Sequence, residues 1–71
     1  MDDVTTRIKF LEDAITELKK ELRRVKTAIN KLEKLSLIPP SVIIVKKEKI
    51  EKTLKDYKQE LKALKKVTEL I

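Results

Sequence analysis

The side chains that could carry a reaction in this sequence are few: Tyr57, Lys47, Ser36, Ser41 and a scatter of carboxylates. Tyr57 and Lys47 fall on the inner stripe of a helical repeat, so the first reads as a core aromatic whose hydroxyl reaches the edge. The second reads as a lysine with a buried stem, a charged end in water and a part in setting register. Ser36 and Ser41 have no base near them in sequence and read as turn and cap residues. The carboxylates stand among lysines on outward positions, where nothing would drive two of their pKa values apart for acid/base work. The chain has no His and no Cys, which removes imidazole catalysis, thiolate chemistry, disulfides and the usual zinc ligands. It also has no Gly, so no phosphate-cradling loop can form. A non-enzyme with no catalytic residues, cofactor or metal is expected.

What remains is shape. The chain has 71 residues, 41% hydrophobic and 42% charged, a balance close to that of coiled coils. Asn30 and Gln59 are its only amides beside abundant Lys, Glu and Ile, a thermophile-like composition. The longest aliphatic run, Val42 to Val45, is far short of the ~20 residues that span a bilayer, and Asp2-Asp3 is not the start of a signal peptide. A soluble, cytoplasmic protein that binds neither membrane nor small-molecule substrate is the expectation.

In the first arm, apolar residues fall at Val4, Ile8, Leu11, Ile15, Leu18, Leu22, Val25, Ile29 and Leu32, in steps alternating between four and three. This heptad seam places Ile8, Ile15, Leu22 and Ile29 at position a and the others at d. Asp2 or Asp3 can cap the start. The second arm continues the scheme with Ile43, Ile50, Tyr57, Leu64 and Ile71 at d and Lys47, Leu54, Leu61 and Thr68 at a. Pro39-Pro40 cannot continue a helix, and Ser41 is a candidate N-cap for the next. The pattern predicts a single all-α domain over 1–71, an antiparallel two-helix coiled-coil hairpin. Its helices span about 3–35 and 42–70, its turn about 36–41, and each helix is roughly 45 Å long.

Folding about the Pro39-Pro40 bond predicts a register in which facing residues sum to 79: Ile29 with Ile50, Leu22 with Tyr57, Ile15 with Leu64, Ile8 with Ile71. Val25 with Leu54, Leu18 with Leu61 and Leu11 with Thr68 give the same sum, and Leu32 opposite Lys47 is the one awkward layer. Lys26 with Glu51 and Glu12 with Lys65 are placed to pair across the helices, and Glu17 with Lys20 and Glu48 with Lys52 along them.

Beside the seam, Phe10 and Ala14 in the first arm and Ala63, Val67 and Leu70 in the second form an apolar shoulder at the open end. Ala28 and Leu35 lie on the same side further along. Widening the stripe in this way is what a four-helix bundle requires, and a chain this small gains from oligomerisation. A homodimer of hairpins with two-fold contacts is expected, with a hairpin docked on a larger complex as the alternative.

The bend itself is unusually apolar, with Leu35, Leu37, Ile38, Val42, Ile43, Ile44 and Val45 among eleven residues, and calls for a cover. Val42 to Val45 could continue the helix and be buried between hairpins, or form a short strand, since four β-branched residues favour strands. Together, Phe10, Ala14, Leu35, Leu37, Ile38, Val42, Ile44, Val45, Val67 and Leu70 are the expected oligomer or partner interface.

Net charge is +6 and unevenly placed. Residues 1–18 carry 2 cations against 5 carboxylates, residues 19–34 carry 7 against 2, and residues 46–66 carry 9 against 4. A solvated face explains most of this. Lys19, Lys20, Arg23, Arg24 and Lys26 are also candidate contacts for phosphates or an acidic partner. With Phe10 and Tyr57 the only aromatics, nucleic-acid binding would be unspecific, to the backbone. The expected role is a non-catalytic protein–protein interaction module: a small adaptor, scaffold or accessory subunit with a protein partner. The alternatives are a sequence-tolerant nucleic-acid accessory protein and chaperone-like holding by the aliphatic tip.

Overall fold

The four-and-three spacing builds two helices, α1 (Asp3–Lys34) and α2 (Ser41–Glu69), packed against each other as an antiparallel hairpin in the computed structural model, which describes residues 3–70. The cap position Asp2 and the layer partner Ile71 lie outside those residues. The hairpin measures 54 × 16 × 14 Å, with a radius of gyration of 16.2 Å. A compact domain of this length would have a radius of about 11 Å, so the molecule is a rod.

The core is the inner stripe of that rod. Leu11, Ile15 and Val25 of α1 and Ile50 and Leu54 of α2 are buried, and Leu11 is entirely so at 0% exposure. Leu18, Leu22, Ile29, Ile43, Tyr57 and Leu61 pack around the cluster made by Ile15, Val25, Ile50 and Leu54. No polar side chain is buried among the described residues, so the core holds its shape by apolar packing alone.

The register differs from the expected one. Arg7 pairs with Glu60 and Glu21 with Lys46 on one side of the seam, both summing to 67; Glu12 pairs with Lys65 on the other, summing to 77. The flanking pairs straddle the core symmetrically, so level residues sum to the midpoint, 72, and not to 79. At 1.5 Å per residue, a register of 79 would hold Arg7 and Glu60 about 18 Å apart along the axis, beyond reach of an ion pair. The level partners become Leu22 with Ile50, Leu18 with Leu54 and Leu11 with Leu61, and Lys47 moves from Leu32 to Val25. The slip is one whole heptad, the only step that keeps a facing d throughout.

The bend explains the slip. Helix α1 stops at Lys34, because the backbone turns left-handed at Ser36 (φ 61°). The Ser36 N–H then donates to the Glu33 carbonyl and the Leu37 N–H to the Leu32 carbonyl, each at 2.9 Å. This is the double hydrogen bond of a Schellman ending, with Ser36 where glycine normally stands. Reversal is centred near Ser36 and not on the proline pair. The prolines bar helix from Ile38 onward and hand the chain to α2.

At the start of α2 the expected cap is corrected, and of the two alternatives for Val42 to Val45 the helix is the one found. The N-cap is Pro40 (φ −59°, ψ 143°), whose carbonyl accepts from the Ile43 and Ile44 N–H groups, and no side chain caps the helix. Ser41 is already helical and caps nothing. Val42 to Val45 are helical too, and the described residues contain no strand. A β-branched residue loses only tenths of a kcal/mol in a helix, less than the start supplied by Pro40 and the packing of Ile43 return.

Candidate interaction surface

Two surfaces follow from this frame, one apolar at the bend and one apolar at the open end, both on a hairpin whose seam is already used. At the bend, α1 ends and α2 begins with aliphatics outside the a/d stripe. Ile38 is 91% exposed, Val42 76% and Leu35 69%; Leu37 and Val45 are also exposed, while Ile44 is half-buried. A shallow groove of about 420 Å³ runs beside them, lined by Ser41, Val42, Val45, Lys46, Lys49 and Ile50. Its floor is apolar and its rim carries the Lys49 ammonium and that of Lys46, the latter paired with Glu21.

At the open end, Phe10, Val67 and Leu70 are exposed and Ala14 is half-buried. Phe10 is held in place from two sides. Its ring lies edge to face with Tyr57, centroids 6.3 Å apart at 64°, and the Arg7 guanidinium carbon sits 4.9 Å above it. Arg7 is itself fixed by a two-pronged hydrogen bond to Glu60, Nε to Oε2 at 2.6 Å and Nη2 to Oε1 at 3.0 Å. That bond holds the Glu60 carboxyl below the usual glutamate range and raises the guanidinium further, while partial desolvation opposes both. The result is a clamp, Glu60 to Arg7 to Phe10 to Tyr57, that fixes a half-exposed aromatic ring at the open end.

The clamp was hidden in the sequence. Arg7 and Glu60 occupy position g of their helices, which face each other in an antiparallel pair, but the sum of 67 selects them only once the register is 72. The same holds for Glu21 with Lys46 at 3.0 Å. Of the expected pairs, Glu12 with Lys65 forms at 3.7 Å and Glu17 with Lys20 at 3.6 Å. Lys26 with Glu51 and Glu48 with Lys52 do not close to ion-pair distance among the described residues.

The cationic candidates are all exposed. Lys19, Arg23 and Lys26 line one groove with Leu22, Thr27 and Asn30, whereas Lys20 and Arg24 line another with Glu17, Glu21 and Lys46. The five therefore fan around α1 and do not make one patch. Among the described residues only Lys20 of the five has an ion-pair partner.

Comparison with protein families, characterised proteins and solved structures gives no match. Among the described residues, no three acidic side chains gather as a metal site would need. Nor, among the described residues, is any helix long and apolar enough to cross a membrane.

Proposed function

We propose that this hairpin is a non-catalytic protein–protein interaction module, a small adaptor, scaffold or accessory subunit. In this reading it associates with a second copy into a four-helix bundle and offers its apolar bend to a protein partner. The observation that carries the reading is the bend, where Leu35, Leu37, Ile38, Val42 and Val45 stand exposed together, a larger aliphatic group than that of the open end on a surface otherwise rich in Lys and Glu. Area points the same way. The chain exposes 5864 Å², against about 4,600 Å² for a compact protein of this mass. The surplus exceeds the ~800 Å² that one partner contributes to a standard interface.

Sedimentation equilibrium tests self-association directly, with a dimer expected at micromolar concentration and a clean monomer overturning the bundle. Replacing Ile38 and Val42 together by Ser leaves the helices folded and removes the partner contact. If a partner isolated on the native chain binds the double variant equally well, the bend has no part in recognition.

A second reading has one observation in its favour. Lys19, Arg23, Arg24 and Lys26 are exposed and lack ion-pair partners among the described residues, so they are free to meet phosphates. In that reading the chain is a sequence-tolerant nucleic-acid accessory protein. Gel shifts on unrelated duplexes test it, and absence of a shift at about 50 mM salt, where counterion release is most favourable, removes it.

A further inference from the structure

From the face built by positions c and g of both helices, we infer that two copies dock end for end, the bend of each on the open end of the other. The inference rests on the self-association proposed above and goes further by fixing which face and which orientation.

Each α2 residue lies level with the α1 residue whose number is 72 minus its own. Along the c/g face, from the open end, Val67 is at level 5, Ala63 at 9, Phe10 at 10, Asp56 at 16, Glu17 at 17, Lys49 at 23, Arg24 at 24, Ala28 at 28, Val42 at 30, Lys31 at 31 and Leu35 at 35. The order is apolar, acidic, basic, apolar, with Lys31 the one cation inside the last apolar stretch. Turned end for end, the pattern returns with its charges reversed, which is the condition for a face to complement a copy of itself across a two-fold axis. A two-fold axis lying across the rod in the contact plane sets α1 on the α1 of the second copy and α2 on its α2; with the axis at level 20, Glu17 meets Arg24, Asp56 meets Lys49, Val42 meets Ala63, and Phe10 meets Ala28 and the stem of Lys31. Each meeting occurs twice. The remaining charges at g, Arg7 with Glu60 and Glu21 with Lys46, are already paired within one hairpin, so they bring no bare charge into the contact.

Net charge decides against the opposite orientation. The bend half, residues 19–34 and 41–53, holds 11 cations and 4 carboxylates, or +7; the open half, residues 3–18 and 54–70, holds 7 of each, or zero. Bends side by side would set +7 against +7. End for end, each charged half lies along a neutral one.

The absence of native Cys makes the test clean. Val42→Cys and Ala63→Cys chains are prepared separately, and each exposed site tolerates the change. Under mild oxidation an equimolar mixture is expected to give covalent dimers of the mixed kind, and neither variant alone is expected to give its own. Reversing Glu17 and Asp56 to Lys is expected to weaken the dimer by about tenfold or more, through four symmetry-related contacts. Mixing that chain with one carrying Arg24→Glu and Lys49→Glu is expected to restore association. Self-cross-linking of Val42→Cys, or a dimer by sedimentation that the mixture fails to cross-link, overturns the orientation while leaving self-association intact. A monomer at every concentration overturns both.

Discussion

The middle of the rod and its bend are made from the same aliphatic residues, and they behave oppositely. At the middle, Ile15, Val25, Ile50 and Leu54 fall at a and d, and each is covered by the facing helix. At the bend, Val42 and Val45 are just as apolar but fall at c and f, and Ile38 follows the end of α1, where the same chain offers no facing surface. Burial here is decided by position in the repeat and not by hydrophobicity. The middle accounts for why the hairpin folds, and the bend for what it has left to offer another molecule.

Substitution is the most direct way to break that contrast. Leu54→Ala should cost about 2–5 kcal/mol, by lost burial and an unfilled cavity, whereas Val42→Ala in dilute solution should stay within about 0.5 kcal/mol. Urea unfolding of the two side by side checks it, and equal losses would mean that the bend is covered after all. Next in size is Ser36→Gly. Releasing a side chain from left-handed backbone should gain about 1 kcal/mol and raise the melting temperature by a few degrees.

The clamp at the open end gives a smaller effect with a pH signature. Because Arg7 holds the Glu60 carboxyl below its ordinary value, their bond stabilises the fold at neutral pH, and that gain is lost as pH falls through the lowered value. Arg7 stays charged throughout. Glu60→Gln should therefore lower the urea midpoint slightly at pH 7, with the difference closing in acid. The smallest effect expected is that of Ser41→Ala. It should lie within about 0.5 kcal/mol of zero by thermal melting, since Pro40 occupies the cap.

Helices, their pairing and the exposed aliphatics were legible because all three follow from period alone: seven-residue spacing marks what is inside, and Phe10, Val42 or Val67 falls outside it. Register was legible only modulo seven. A seam that repeats every heptad fits itself equally well after a one-heptad slip, so 72 and 79 satisfy the same pattern. The choice belongs to the turn. Its left-handed residue is a serine, in a chain without glycine, and serine gives no such signal in sequence. The clamp of Arg7, Glu60, Phe10 and Tyr57 followed register into obscurity, since cross-helix partners at g can be named only when the levels are known. Ser41 misled for a simpler reason. Serine before an aliphatic run resembles a cap, but the proline ahead of it already has the extended backbone a cap requires.

A rod 54 Å long with no break in either arm between its ends also acts as a ruler. The exposed aliphatics of the bend are held that distance from those of the open end, and the seam between them sets the spacing in increments of one heptad. Lengthening both arms by seven residues would move the two groups apart by about 10 Å while leaving every facing layer in kind. Length in this architecture can therefore change by whole heptads while the chemistry of the seam stays the same.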